Sequence, residues 1–317
     1  MWVKFILILG RKEKAFVEVV FLGKDLWDGR VLMAEKHRFE FGKNWKHFLS
    51  VLDEGRIGEA ERSLRQMLEV ESFDGKTFLD IGSGSGLFSL AARRLGAAVC
   101  SFDYDPLSVK CTTELRHRYF PNDTHWMVTQ GDVLNEAFLK SLGCFDIVYS
   151  WGVLHHTGAL WQALDNVAAL VRPQGKLFIS IYNDQGPTSR RWRRLKKLYN
   201  DSSKPLRLMI VFAVGAYWEL LSASSRLIHI KNPLPFKKWE EKKKDRGMSV
   251  WYDLVDWVGG YPFETAKPEE VLHFCRKKGF DLVRLKTCGG GLGCNEYVFA
   301  RNSSETIRTA PGAETTD

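Results

Sequence analysis

Between Thr77 and Tyr182, short apolar runs alternate with amphipathic stretches, and few folds accept that pattern. The runs are Thr77–Ile81, Ala98–Phe102, Trp126–Thr129, Phe145–Ser150 and Leu177–Tyr182; helices are read after Gly86 and from Pro106, Asn135 and Leu160. Strands joined through helices run parallel, because each crossover returns the chain to the edge it left. The nearly unbroken apolarity of each run predicts strands covered on both faces. The expectation is therefore an α/β sheet with helices on both sides.

After Tyr182 the alternation stops and resumes only at Pro268, with a helix Pro268–Lys278 and then Phe280–Leu285 and Glu296–Ala300. Five regions follow. Residues 1–50 form an N-terminal extension, of which 1–32 are weakly patterned and expected to be loosely attached, with Met33 an alternative start. A helix pair is read over Phe48–Val70. Residues 51–184 form the core, 185–265 a basic helical insertion or cap, and 266–301 the C-terminal part of the core. The tail, 302–317, has no apolar pattern and is expected to be disordered.

Four segments carry chemistry. In Phe78-Leu79-Asp80-Ile81-Gly82-Ser83-Gly84-Ser85-Gly86, a strand ends, glycines turn the chain and a helix begins at Leu87. Glycine admits positive φ and lets a ligand approach the backbone, and the helix start offers free N–H groups. A dinucleotide turn requires a third glycine at position 87, where this chain has Leu. An acid on the strand, Asp80, would repel a pyrophosphate but suits a ligand with a cationic end. In Phe102-Asp103-Tyr104-Asp105, Asp103 falls 21 residues after Gly82, the distance at which an acid meets ribose hydroxyls. Asp105 reads as a helix cap. In Gln130-Gly131-Asp132-Val133, the acid can accept from an exocyclic amine and the Val133 N–H can donate to a ring nitrogen, although Asp132 also suits a helix cap. The fourth segment, Phe145 to Gly158, carries Ser150, Trp151 and then Leu154-His155-His156-Thr157 beyond a strand end, where open α/β sheets bind ligands.

Taken in this order and spacing, the four segments resemble the class I S-adenosylmethionine-dependent methyltransferases. The Leu-His-His-Thr step is similar to their small-molecule branch, which includes quinone-biosynthesis methyltransferases. The resemblance covers roughly 76–183 and 266–301, a little under half of the chain. It implies a Rossmann-like core ending in a reversed, antiparallel strand. It also implies S-adenosylmethionine as cofactor, held by Asp80, Gly82, Ser83, Gly84 and Gly86 at the amino-acid end, Asp103 with Tyr104 at the ribose, and Asp132 with Val133 at the adenine, with Ser150 and Trp151 beside it. No metal is expected. A sulfonium methyl is already electrophilic, so such a protein aligns an acceptor and excludes water. A hydroxyl acceptor also needs a base, and His155 and His156 are the candidates, either of which could instead pack against the cofactor or fix the loop.

The insertion departs from the family pattern. The chain carries a net charge of +8, yet residues 186–247 alone hold 16 Lys or Arg against five acids. Basicity confined to one region is unlike a uniformly basic nucleic-acid binder. Ser189–Lys197 reads as a basic amphipathic helix, and Lys237, Lys238 and Lys242–Lys244 form a second cluster. Met209–Trp218, uncharged for ten residues, reads as too short to cross a bilayer. The expectation is a cap over the acceptor that meets anionic groups, with peripheral contact to an anionic membrane through 186–247; a merely solvated basic face fits the same residues. Trp251-Tyr252-Asp253, Asp256-Trp257 and Tyr261-Pro262-Phe263 set aromatics beside acids, as a polar substrate pocket would. The six cysteines include no CxxC pair and read as reduced thiols of a cytoplasmic protein.

The reading reached is methyl transfer to an oxygen or nitrogen of a small-molecule or glycolipid-like acceptor. A catalytically silent cofactor-binding partner subunit and a nucleic-acid methyltransferase stay open, though no RNA-binding module is visible. Leu87 and Asp80 disfavour an NAD-dependent oxidoreductase.

Overall fold

The computed structural model describes residue 45 and residues 48–50, 52–228 and 250–303. The expectations for 1–32, for the lysine cluster at 237–244 and for the tail from 304 onward lie outside the described residues.

Among the described residues seven strands form one sheet: β1 (Thr77–Ile81), β2 (Ala98–Asp103), β3 (Trp126–Gln130), β4 (Phe145–Trp151), β5 (Val171–Tyr182), β6 (Phe280–Lys286) and β7 (Cys294–Arg301). Their spatial order is β3-β2-β1-β4-β5-β7-β6. The first five run parallel, and β7 enters antiparallel between β5 and β6. This is the Rossmann-like α/β sheet with a reversed strand that the sequence implied. The order reverses between β1 and β4, so the carboxyl ends of β1, β2 and β4 open onto one crevice.

The joining helices form where the sequence starts them. Helix α1 (Glu54–Leu68) precedes the sheet, α2 (Leu87–Arg94) follows the glycine turn, and α3 (Pro106–Tyr119) starts on Asp105, whose carboxylate accepts from the Leu107 N–H at 2.8 Å. Pro106 at the first helical position loses no hydrogen bond by lacking an N–H. Asn135 caps α4 (Glu136–Leu142), and α5 (Leu160–Ala169) follows the histidine loop. Alternate residues of β1 enter opposite layers: Phe78 packs with Leu90, Ala91, Leu115 and Tyr149, whereas Leu79 packs with Val148, Leu164 and Ile179. Burial at about 1.5–3 kcal/mol for each large side chain fixes the register. A slip by one residue would exchange the two layers.

Between β5 and β6 lie α6 (Pro187–Asp201), α7 (Lys204–Ile228), α8 (Val250–Gly259) and α9 (Pro268–Lys277). The insertion closes at its base, where Ala266 N–H donates to Tyr182 O at 3.0 Å and Asp184 N–H to Ala266 O at 3.1 Å. Its helices share a small core of Tyr199, Val211 and Val258.

Three features differ from the sequence expectations. Strand β5 begins at Val171, six residues before the apolar run at Leu177, because Val171 already pairs with Phe145 and the pairing resumes at Lys176 with Ile147 after an irregularity in the polar stretch. Helix α7 runs 25 residues, and 21 of them, Lys204–Ser224, are long and apolar enough to cross a membrane by length and composition. The ten-residue reading stopped at Glu219, but one acid does not interrupt helical hydrogen bonding. Finally, Trp45, Phe48 and Leu49, assigned to the extension, pack on the core; Arg118 Nη1 donates to Leu49 O at 3.3 Å.

Candidate active site

The site grows from the end of β1. Gly82 and Ser83 donate their N–H groups to Phe102 O at 2.8 and 3.1 Å, folding the glycine turn back against β2. Gly82 has φ +74°, and a Cβ there would come within 2.3 Å of Val153. The turn therefore needs glycine for its backbone and for the closeness of the β4 loop. Gly84, at φ +56°, lies under the Trp45 ring. Ser83 Oγ and Thr112 Oγ1 are 2.9 Å apart, and Gly86 caps α2 directly over Thr112.

Asp103 closes this turn. Its carboxylate accepts from Gly84 N–H at 2.9 Å and Asp105 N–H at 2.8 Å, so one acid orders both the cofactor-side turn and the start of α3. Burial pushes its pKa up to about 6, against those backbone hydrogen bonds, with the Asp105 charge adding to the rise.

Asp80 is placed differently from the expectation of direct ligand contact. It is buried and accepts from Ser89 Oγ at 2.5 Å, in a chain that continues through Ser101 to the Trp126 indole. Burial, with Asp103 repelling it, pushes its pKa up to about 7 despite the Ser89 hydrogen bond. Two acids held above the ordinary carboxylate range at one edge, chiefly by burial, favour a cationic ligand group, which would draw both back toward ionisation. That donor set, with a glycine backbone and an acid at ribose distance, fits S-adenosylmethionine.

Asp132 accepts from Leu134 N–H at 3.0 Å, in the turn entering α4, and Val133 sends its side chain into the core while its carbonyl accepts from Asn166 at 2.9 Å. Asp132 thus sits in the turn before α4, whose cap is Asn135 and not Asp132. Ser150 is buried and donates to Ile81 O at 3.3 Å, tying β4 to β1. Tyr104 and Trp151 stand exposed at the ends of β2 and β4.

The histidines sit in a short 3-10 turn, Leu154–His156. His155 is fully buried, neither ring nitrogen meets a hydrogen-bond partner of good geometry among the described residues, and its ring lies 4.0 Å from that of Tyr182. Burial first, then His156 and Lys196, hold it well below the imidazole range. His156 Nδ1 lies 2.6 Å from Pro262 O. A carbonyl only accepts, so Nδ1 carries the proton and Nε2 is the acceptor. Burial lowers His156 to about 3, opposed by the Pro262 contact. Both rings are neutral at physiological pH.

The insertion seats this loop. Glu264 donates its N–H to His155 O at 3.0 Å and accepts from Leu160 N–H, Arg193 Nε donates to Phe263 O at 3.0 Å, and Asn200 donates to Gly259 O at 2.8 Å. Tyr182 meets Phe263 and Trp257 at 5.1 and 5.6 Å, and Trp257 continues to Trp192 and Trp218. Lys196, read as part of the basic helix, is buried under this cluster. It donates to Trp257 O and lies over the Trp257 and Phe263 rings, and burial lowers its pKa to about 7 against the pull of Asp256. Sequence reasoning missed Lys196, Tyr182 and Glu264 as parts of the site. One signal was present: Ser189, Trp192, Lys196 and Tyr199 recur at helical spacing, which puts the lysine on the inward stripe of α6.

A family model described as a methyltransferase domain matches residues 52–239, more than half of the chain. The chain belongs to this methyltransferase family. It is 31% identical over 111 residues to the ubiquinone biosynthesis O-methyltransferase of Caulobacter vibrioides, a match covering 35% of this chain and 42% of that protein. It is 36% identical over 116 residues to the ribosomal protein L11 methyltransferase of Prochlorococcus marinus, covering 36% of this chain and 37% of the relative. The chain thus spans about two fifths of the length of these curated relatives. The crystal structure of magnesium protoporphyrin IX methyltransferase from Synechocystis PCC 6803 covers 82% of this chain and 94% of its own, at 13% identity and a TM-score of 0.49. Among the described residues no three His, Cys, Asp or Glu side chains gather as a metal site. A cavity of about 340 Å3 bordered by Lys76, Thr77, Arg93 and His125 lies at the opposite end of the strands.

Proposed function

We propose that this chain transfers a methyl group from S-adenosylmethionine to an oxygen or nitrogen of a small-molecule or glycolipid-like acceptor bound beneath the helical insertion. One observation carries the reading: two acids with raised pKa values, Asp80 and Asp103, share the strand edge with a glycine turn, next to a histidine loop roofed by aromatic side chains. When bound, the cofactor supplies an electrophilic sulfonium methyl. Asp103 accepts the ribose hydroxyl protons while ordering Gly84, and Asp80 acts from beneath the turn through its charge and Ser89. Gly82, Ser83, Gly84 and Gly86 leave the backbone open, Asp132 and Val133 border the base, and Tyr104, Ser150 and Trp151 bound the crevice.

On the acceptor side, Tyr182, Trp257 and Phe263 exclude water, and His156 offers Nε2 as the proton acceptor for a hydroxyl. A base of such low pKa works only on a proton leaving as the new bond forms, which suits direct displacement at a methyl. His155 positions the loop, and neutralising charge on Lys196 and the basic segment suits an anionic acceptor. The matched relatives carry names of a quinone and a ribosomal protein, so the shared stretch does not choose the acceptor. That choice falls to the insertion. The six unpaired cysteines support a cytoplasmic setting.

The test is a panel of phenolic, amine and glycolipid acceptors with methyl-labelled cofactor, read by mass shift, alongside calorimetry with S-adenosylmethionine and NAD. Cofactor binding with transfer to an acceptor class carries the reading. Tight NAD binding without S-adenosylmethionine binding sinks it. His156→Gln should lower transfer to a hydroxyl about 100-fold or more while leaving cofactor affinity alone.

A further inference from the structure

Helix α7 is apolar on two faces, and among the described residues only one of them is covered. Ile210, Val211 and Val214 pack toward α6 and α8, and Gly215 lets Leu254 come within 2.9 Å of where a Cβ would stand. The other face presents Leu206, Met209, Phe212 and Leu220, with Met209 67% and Leu220 69% exposed. Phe212 pairs with the exposed Trp251 of α8 at 5.0 Å between ring centroids, so the patch spans two helices. A helix apolar all round is either buried or in contact with lipid.

We propose that the outward face of α7, with Trp251, docks this protein on an anionic lipid bilayer, with the helix lying in the plane of the interface. Charge chooses the occupant. Arg190 and Arg194 are exposed on α6, Lys204 opens α7, and seven more Lys or Arg follow α7 between positions 231 and 246. A second copy would set one strongly basic segment against another, and nucleic acid would leave Met209, Phe212 and Leu220 without an apolar partner. An anionic bilayer satisfies both the charges and the apolar side chains. Length and composition would permit a transmembrane span, yet the covered face makes an in-plane helix the fitting geometry. Crossing the bilayer would strip α7 from Val258, Leu254 and Trp257. The docking stands apart from the acceptor reading, since it needs no turnover.

The experiment is flotation of the full chain with phosphatidylcholine vesicles, with and without phosphatidylglycerol. Three proteins are compared: the native chain, the Met209→Gln, Phe212→Gln, Leu220→Gln variant, and the Arg190→Gln, Arg194→Gln variant. Glutamine keeps helix propensity, and an unchanged far-UV circular dichroism spectrum and melting temperature certify each variant's fold, the insertion included. The native chain should float with the phosphatidylglycerol vesicles, the apolar-face variant should lose about tenfold or more of that partitioning, and the arginine variant should lose part of the preference for anionic lipid. A native chain that stays unbound overturns the proposal, as does an apolar-face variant that floats unchanged. Light scattering showing a dimer that the apolar-face variant abolishes also overturns it, because a second copy then covers the face.

Discussion

Asp103 and Gly84 are 19 residues apart and meet at 2.9 Å, whereas His156 and Pro262 are 106 apart and meet at 2.6 Å. The first contact belongs to the half of the crevice we propose for the cofactor, built where two neighbouring strands end. The second belongs to the half we propose for the acceptor, where a loop from β4 is held by the segment that returns at the end of the insertion. The cofactor half is thus largely assembled once β1 and β2 pair. The acceptor half exists only when the insertion is seated, and substitutions should divide along that line.

The largest expected effect is in the acceptor half. Phe263, 3% exposed and packed on Tyr182, should cost about 3–5 kcal/mol of stability when changed to Ala. The loss should show in thermal melts and in methyl transfer, while cofactor binding by the folded fraction persists. Equal loss of cofactor affinity would erase the distinction between the halves. Next, Gly82→Ala must place a Cβ at positive φ against Val153, a strain of about 1–3 kcal/mol that should weaken cofactor binding in calorimetry. Asp103→Ala should cost about 1.5–3 kcal/mol of cofactor affinity by removing a charge-assisted acceptor. Normal binding by this variant would show that the ribose lies elsewhere.

Smaller still is the effect of pH. Asp103 titrates at about 6 and Asp80 at about 7, both above the ordinary 3.8. The folded free chain therefore holds protons that the unfolded chain has released, and the stability these groups contribute falls as pH rises from about 4 through 7. A cationic, hydroxyl-bearing ligand prefers the ionised acids. Its affinity should rise by up to about tenfold per pH unit for each acid that ionises on binding, so most steeply below 6, less steeply between 6 and 7, and level off above 7, with protons released on binding. Titrations in buffers of different ionisation enthalpy read that release, and an affinity independent of pH would show that the charge of neither carboxylate acts on the ligand. The smallest effect is a near-absence: Arg190→Gln with Arg194→Gln should leave cofactor affinity unchanged, since both lie in the insertion.

The alternation of apolar runs predicted the parallel sheet because burial on two faces leaves a local signature, and Gly82, Gly84 and Asp103 were legible because strand ends bring near neighbours in sequence together. The reversed pair Phe280–Leu285 and Glu296–Ala300 was readable from the family resemblance. What tertiary structure decided concerns direction and distance. Spacing could not say that Asp80 turns inward to Ser89, since a strand-end residue can face the crevice or the adjacent helix. Nor could it place Lys196 under Trp257 and Phe263, because its basic neighbours read as solvated. The partnership of His156 with Pro262 has no local trace, as each residue is ordinary among its neighbours. The open face of α7 was hidden for the same reason: composition gives a helix its apolar surface, but packing decides which part is left uncovered.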